Sequence, residues 1–192
     1  MGIQTRKASQ ADVAHLIRVR MMAEGGFTDM LFEGLDQSIE EIIETELSNP
    51  NLTAHFQNYW IALNHDEIVG GLHAFPWNDF RNDSHNPLVP EDRYLIMEPF
   101  DELEAPDTYF IQALSVFPEF TRQGIGSVLL VLAQELAIER NFTEIGLMVF
   151  AENTNAVSLY KKYGYREVDR RTVDSHPRRV YSGDVLLMSC QI

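Results

Sequence analysis

The sequence predicts an α/β domain in which strands and helices alternate along the chain. Three observations predict this class: strand-like runs alternate with helical stripes of apolar residues, turn-forming residues separate them, and no internal repeat is visible. The length of 192 residues and the apolar fraction of 45% suit one domain with a substantial core. We therefore expect about seven strands and about four helices in a single domain over residues 1–192.

The first half of the chain has patterns for three strands and two helices. Ser9 and Asp12 form an S-x-x-D capping box, which predicts the start of a helix that ends at the glycine pair Gly25-Gly26. The polar turn Asn64-His65-Asp66 separates two strand-like runs and predicts a hairpin. The predicted elements are a strand at Ile3–Lys7, a helix at about Gln10–Ala23, a helix between Asp36 and Asn49, and strands at Tyr59–Leu63 and Glu67–Phe75.

Residues 76–107 lack a sustained period and are rich in proline, asparagine and aspartate. A structureless segment of this length is unusual inside a compact domain unless it is functional. Leu95, Ile96, Met97 and Phe100 are apolar residues that could dock on the rest of the domain. We expect a partly ordered insertion between the third and fourth strands.

The second half of the chain returns to regular patterns. An almost continuous apolar run predicts an interior strand, and a helix with two apolar sides follows it. Gly164 suits the left-handed position that ends a helix. The predicted elements are strands at Tyr109–Val116, Glu144–Phe150, Tyr165–Arg171 and Val185–Gln191, and helices at about Gly124–Arg140 and Asn155–Tyr163.

The formal net charge of −14 limits the classes of partner. It argues against nucleic acid and anionic membranes, which bind basic patches. It suits a cationic substrate, although an acidic surface that maintains solubility explains it equally well. The lone Cys190 forms no internal disulfide, and neither a signal-peptide core nor a membrane-spanning run is visible. These features predict a cytoplasmic location.

A glycine-containing segment stands where the fourth predicted strand gives way to a helix. The first turn of a helix has backbone N–H groups without intrahelical acceptors, and its dipole favours an anion. Glycines let a pyrophosphate approach those groups, so the segment predicts a phosphate site. Tight helix–strand packing explains the same glycines, and the spacing fits neither the Rossmann nor the Walker pattern. The residues are Thr121, Arg122, Gln123, Gly124, Ile125, Gly126 and Ser127.

A second segment, ENTNAVSLYKKYGY, begins at Glu152 and contains the last predicted helix. Asn153 stands just before that helix, and Tyr160 lies one position round from its apolar stripe. Taken alone, the segment has an ordinary structural explanation, with Asn153 or Asn155 as the N-cap and Tyr160 as a surface aromatic.

Together and in this order, the two segments resemble the Gcn5-related N-acetyltransferase (GNAT) family. Its pattern is a strand ending in L-x-V-x-P, then Q/R-x-x-G-x-G/A at a helix start, and later N-x-x-A-x-x-L-Y-x-K-x-G-F/Y. This chain has LSVFP from Leu114, TRQGIG from Thr121 and NTNAVSLYKKYGY from Asn153. It departs from the pattern at Thr121, which replaces Gln or Arg, and in the insertion, which has no family counterpart.

The resemblance implies a GNAT acyl-CoA N-acyltransferase fold, with a central mixed, mostly antiparallel sheet, and acetyl transfer from acetyl-CoA to an amine. In that family, the backbone matching Leu114, Ser115 and Val116 pairs with the pantetheine arm, and the amides matching Arg122 to Ser127 hold the pyrophosphate. The family asparagine matching Asn153 lies near the pantetheine. The tyrosine matching Tyr160 lies near the thioester sulfur, where its hydroxyl can protonate the leaving thiolate.

The general base remains open at this stage. Family members often have an acid where this chain has Gln112, and an amide cannot take up a proton. Glu98, Glu102, Asp107 or His73 could substitute, although a histidine in an apolar strand is more often packed in the core. The six histidines lack metal-ligand spacing and there is one cysteine, so no metal site is expected.

Three functions are compatible with these features. The first is an N-acetyltransferase that acts on a small-molecule or peptide amine, and the acidic insertion would favour a cationic amine. A solvated loop or a homodimer contact would explain the insertion as well. The second is a non-catalytic acyl-CoA sensor, which the missing acid at Gln112 suggests. The third is a Rossmann-like nucleotide binder, which the glycine spacing disfavours.

Overall fold

A seven-stranded β-sheet runs through the computed structural model, which describes residues 2–80, 82–86 and 89–192. The strands, numbered in chain order, lie in the order β1-β2-β3-β4-β5-β7-β6. Their bounds are β1 Gln4–Lys7, β2 Tyr59–Asn64, β3 Glu67–Pro76, β4 Tyr109–Val116, β5 Glu144–Phe150, β6 Arg166–Val173 and β7 Gly183–Gln191. Each of the seven predicted strands is present.

Neighbouring strands are antiparallel except for β4 and β5, which are parallel. The predicted mixed, mostly antiparallel sheet is therefore confirmed. Parallel neighbours need a crossover connection, and the long helix between β4 and β5 provides it.

Helices lie on both sides of the sheet, and some were not expected from the sequence. The four predicted helices correspond to α1, α3, α6 and α7, whereas α2, α4 and α5 have only four or five residues each. Segments so short cannot display a 3.6-residue period, which is why the pattern did not reveal them. The bounds are α1 Val13–Glu24, α2 Phe27–Leu31, α3 Ile39–Leu47, α4 Trp77–Phe80, α5 Glu98–Asp101, α6 Ile125–Glu139 and α7 Thr154–Lys162. Within the described residues, no helix is long and apolar enough to span a membrane.

Alternating residues of the strands divide the core between the two faces of the sheet. Ile61 packs in the cluster beneath α1 and α3, whereas its neighbours Trp60 and Ala62 pack in the cluster beneath α6 and α7. Successive strand residues point to opposite faces, so the two helix pairs lie on opposite sides. The predicted capping box is also present, since the Ser9 N–H donates to Asp12 Oδ2 at 2.8 Å.

The described part of the insertion contains the short helices α4 and α5 and docks on the face that carries α1. Ile96 packs at the α1–α3 core, and the Phe100 ring lies 5.3 Å from the Phe27 ring and 6.1 Å from the Phe150 ring. Leu95, one of the apolar residues that could have docked, is 62% exposed. Arg81, Pro87 and Leu88 of the insertion lie outside the described residues. The insertion therefore covers α2 and the end of β5.

Candidate active site

Strands β4 and β5 separate part-way along their length. They pair only from Tyr109 to Ile111 of β4, opposite Ile145 to Leu147 of β5. Beyond Ile111, the two strands have no register pairs with each other among the described residues. The last five residues of β4 thus present an edge with free main-chain hydrogen-bonding groups toward β5.

A β-bulge marks the point at which β4 leaves β5. On the β3 side, His73 pairs with Ala113 and Ala74 pairs with Ile111, so Gln112 is the extra residue. Gln112 is exposed, whereas Ile111 and Ala113 are buried. Bulges re-aim the strand and are common beside active sites. At the position where family members often have an acid, this chain therefore has an exposed glutamine side chain at a bulge.

The start of α6 presents a group of free backbone N–H groups. The amides of Arg122, Gln123, Gly124, Ile125 and Gly126 have no acceptor among the described residues. Arg122 and Gly124 have positive φ values of 62° and 80°, and these left-handed residues turn the chain into the helix. The Ser127 amide already donates to the Gly124 carbonyl at 3.0 Å, so only its side chain remains for a ligand. This is the donor arrangement of an anion site.

Gly126 is where the separately predicted segments meet. A Cβ atom at this position would lie 3.4 Å from Leu159 of α7 and 3.8 Å from Val116 of β4, with Leu114 at 4.0 Å. The strand end, the glycine loop and the second segment therefore lie together at Gly126.

Two hydroxyl groups near this junction are already committed to other contacts. Ser115 is buried, and its Oγ donates to the Val19 carbonyl of α1 at 2.9 Å. Thr121 Oγ1 donates to the Pro118 carbonyl at 3.1 Å. A ligand could reach Ser115 only through its main chain. The hydrogen bond from Thr121 to Pro118 also stabilises the loop, so a threonine is compatible with the first motif position.

Asn153 caps the last helix, as the ordinary structural explanation of this segment proposed. Its Oδ1 accepts a hydrogen bond from the Ala156 N–H at 3.3 Å, and it is the N-cap of α7. The side-chain amide N–H groups are not used by this bond, so capping leaves a donor for a ligand. Asn155 lies inside the helix and is not the cap.

Tyr160 is buried rather than a surface aromatic, so the ordinary explanation of this residue is wrong. It is 8% exposed, and its ring lies 5.8 Å from that of Tyr165. Burial raises the pKa of Tyr160 to about 12, and no described residue hydrogen-bonds its hydroxyl. The hydroxyl therefore keeps its proton at neutral pH.

Three of the four alternative bases suggested by the sequence have structural partners. His73 is buried and stacked on Tyr59 at 4.0 Å, with Nε2 lying 2.8 Å from the Thr53 carbonyl. Burial lowers the pKa of His73 to about 3, which marks a packed neutral histidine. Glu102 pairs with Arg171 at 2.7 Å, and the Asn78 amide donates to Asp107 at 3.0 Å. Glu98 is exposed on α5.

A buried ionic network beside these residues was not foreseen. Arg20 pairs with Glu24 at 2.7 Å and also with Glu46, while Asn86 of the insertion donates to Glu46 at 2.7 Å. Burial raises the pKa of Glu24, although Arg20 opposes that effect. The i,i+4 spacing of Arg20 and Glu24 was a visible signal. The contacts of Glu46 join segments that are distant along the chain, so no pattern in the sequence indicated them.

Comparisons with known proteins show the family and the fold. A model described as the acetyltransferase (GNAT) family matches residues 28–165. The mycothiol acetyltransferase of Clavibacter sepedonicus is 36% identical over 69 residues, which cover 36% of this chain and only 22% of that relative.

Solved structures share the fold over almost the whole chain. An N-acetyltransferase from Staphylococcus aureus Mu50 superposes with a TM-score of 0.70 at 14% identity, covering 97% of this chain and 99% of that one. A GNAT family acetyltransferase from Elizabethkingia anophelis, solved with acetyl-CoA bound, gives a TM-score of 0.62 at 19% identity, with coverages of 99% and 98%.

Proposed function

This chain belongs to the acetyltransferase (GNAT) family, and we propose on that premise that it moves an acetyl group from acetyl-CoA to a primary amine of a small molecule or peptide. The single observation that carries the proposal is the contact at Gly126. It joins the open edge of β4 to the free amides at the start of α6. One ligand with both a pyrophosphate and an amide-containing arm would use both features.

In this proposal the amides of Arg122 to Gly126 bind the pyrophosphate. The positive end of the α6 dipole adds to their attraction for an anion. The guanidinium of Arg122, the side chain of Gln123 and the hydroxyl of Ser127 add side-chain donors.

The free edge of β4 binds the pantetheine arm. Main-chain groups of Leu114, Ser115 and Val116 pair with its amides in the way that a further strand would. This placement brings the thioester toward the bulge at Gln112, and the side-chain amide of Asn153 is available to the same arm.

Tyr160 supplies the proton that the reaction requires. Acetyl-CoA provides a thioester whose carbonyl carbon is attacked by a neutral amine; the new C–N bond forms, the C–S bond breaks, and CoA leaves as a thiolate. The Tyr160 hydroxyl is protonated at neutral pH and would donate to that sulfur. With an amide at Gln112, the proton lost by the amine passes to solvent, and solvent returns a proton to Tyr160.

The acceptor reaches the thioester from the side of the sheet that carries the insertion. Phe100 and Glu102 of that segment lie against the end of β5 and against β6. The acidic surface and the insertion would attract an ammonium group before it loses its proton. A cytoplasmic location and a homodimer remain predictions from the sequence.

The exposed amide of Gln112 favours one further candidate, an acyl-CoA sensor that binds acetyl-CoA without turnover. Two measurements separate the candidates. Acetyl-CoA should raise the melting temperature in both cases. Release of free CoA in the presence of a panel of primary amines should occur only in an enzyme. If acetyl-CoA leaves the melting temperature unchanged, both candidates are wrong.

A further inference from the structure

Arg179, in the loop between β6 and β7, carries a guanidinium without a partner among the described residues. Its Nε and Nη1 atoms are buried and have no hydrogen-bond acceptor. Asp174 favours its charge from a distance, but no described ion pair joins the two side chains. The adjacent Arg178, by contrast, is exposed and pairs with Glu33. Buried donors in native proteins almost always have acceptors, so the two unsatisfied N–H groups of this partly exposed side chain suit an anionic ligand.

The guanidinium of Arg179 lies at the end of β5. Its Cζ is 5.9 Å from the centre of the Phe150 ring, and Phe150 is the last residue of β5. Phe150 belongs to the part of β5 that has separated from β4, beyond the last pair at Leu147. Arg179 therefore lies near the end of β5 that has separated from β4.

A close backbone approach holds the Arg179 loop in place. The Val180 N–H donates to the Gly25 carbonyl at 2.8 Å. A Cβ on Gly26 would lie 1.9 Å from the Arg178 carbonyl oxygen, so only glycine allows this contact. Main-chain contacts on both sides of Arg179 thus fix the loop against the junction of α1 and α2.

The side of the sheet on which Arg179 lies separates it from the pyrophosphate donors. Phe150 packs with the cluster that contains Trp77 and Phe110, on the face covered by the insertion. Gly126 lies against Leu159, whose cluster is on the opposite face. The anion at Arg179 is therefore a different group from the phosphates at the start of α6.

We infer that Arg179 binds a carboxylate of the acceptor, which makes the acceptor a small amine that also carries a carboxylate group. A guanidinium matches a planar carboxylate with two parallel hydrogen bonds. This inference rests on the proposed acetyl transfer, since it places the acceptor at the opening between β4 and β5. Partial burial beside Phe150 lowers the local dielectric and strengthens the interaction, which disfavours an acceptor that leaves the two buried N–H groups unpaired.

The test compares matched acceptors in a CoA-release assay. The standard amino acids, β-alanine and γ-aminobutyrate are each supplied as the free acid and as the primary carboxamide. For at least one pair, we expect wild-type kcat/KM to be about 10- to 100-fold higher for the acid, the range of a hydrogen-bonded charge pair. Arg179→Gln should abolish this preference by raising KM for the acid. Its kcat/KM for the carboxamide should stay within about threefold, well under 1 kcal/mol.

Arg178→Gln is the matched control, because it removes a neighbouring charge that is exposed and already paired. It should keep the preference for the acid. Equal use of acids and carboxamides by the wild type, or equal losses for both in Arg179→Gln, would overturn the inference.

Failure of acetyl transfer itself would be recognised separately. If no amine is acetylated, the free acids are tested as ligands by thermal shift in the presence of acetyl-CoA. A rise in melting temperature in the wild type that is absent in Arg179→Gln would support the carboxylate site despite the failed proposal for turnover. The same response in both proteins would reject the site.

Discussion

Gly126 and Leu159 are packed so closely that a Cβ on the glycine would lie 3.4 Å from a Leu159 methyl carbon. This contact fastens the first turn of α6 to α7, and so joins the two halves of the family motif. An ordinary van der Waals distance leaves room for one methyl group but not for a branched side chain.

Gly126→Ala and Gly126→Val should therefore differ in acetyl-CoA affinity. Alanine should leave the dissociation constant within about threefold, whereas the additional methyl groups of valine should raise it at least tenfold, about 1.4 kcal/mol. Isothermal titration calorimetry measures both constants. Melting temperatures without ligand separate a displaced loop from a loss of fold. An unchanged dissociation constant in Gly126→Val would show that the start of α6 is not the binding surface.

Tyr160→Phe should lower kcat and leave acetyl-CoA affinity nearly unchanged. The ring remains to fill its buried place, while the proton donor is lost, and general acid catalysis typically contributes about 100-fold or more. Steady-state kinetics and calorimetry measure the two effects. Tyr165→Phe is the control, since it removes a neighbouring buried hydroxyl that likewise has no partner among the described residues. If the two variants lose equal activity, Tyr160 is not the acid.

Asp12 should contribute stability that depends on pH. Its carboxylate accepts two hydrogen bonds from Arg6, at 2.8 and 2.9 Å, and two from Ser9. These bonds hold the pKa of Asp12 well below its usual range. A depressed pKa stabilises the fold above the unfolded value of about 3.9, and this contribution is lost as the pH falls below it.

Asp12→Asn should lower the free energy of unfolding at pH 7 by about 1–3 kcal/mol, the value of charged hydrogen bonds. It should also flatten the loss of stability below about pH 4. Urea titrations at several pH values measure both. Asp66→Asn, at an exposed hairpin position, is the control and should behave like the wild type. If the unfolding free energy of Asp12→Asn fell below about pH 4 as steeply as that of the wild type, the proposed role of Asp12 in acid stability would be contradicted.

His73 should oppose folding at mildly acidic pH. Because burial lowers its folded pKa to about 3, the unfolded chain binds the proton more readily between that value and about 6.5. Its stabilising contribution is therefore full above about pH 6.5 and declines as the pH falls, by at most about 1.4 kcal/mol per pH unit.

His73→Phe keeps an aromatic ring beside Tyr59 but cannot take up a proton. Its unfolding free energy should consequently fall less than that of the wild type between about pH 6.5 and pH 4. Denaturant titrations give the comparison, with a substitution of the exposed His65 by asparagine as the control. Parallel pH profiles for the wild type and His73→Phe would refute a buried, neutral histidine.

Local signals in the sequence predicted most of the framework. The capping box at Ser9 and Asp12, the hairpin turn near His65, and the glycine after β4 each act over a few residues. The motif that joins Gly126 to Tyr160 also depends on order and spacing along the chain. Such features are visible in one sequence because both partners are close together or share a family pattern.

Features that depend on distant contacts were not predictable in the same way. The bulge at Gln112 arises from the register between β3 and β4, and no residue type at this position predicts it. The burial of Tyr160 depends on packing against Tyr165 and α6. The position of the Arg179 loop depends on its close approach to Gly26, which is distant in the sequence. Tertiary packing decides these features, and local propensity carries little information about them.

The most direct test of the central claim is a quantitative assay of acetyl transfer. Purified protein is incubated with acetyl-CoA and a panel of primary amines, and free CoA and acetylated amine are measured by mass spectrometry. Our account predicts that both products appear in equal amounts for at least one amine, and that Tyr160→Phe slows their formation. Acetyl-CoA that binds but stays intact with every amine would contradict acetyl transfer and support the acyl-CoA sensor instead.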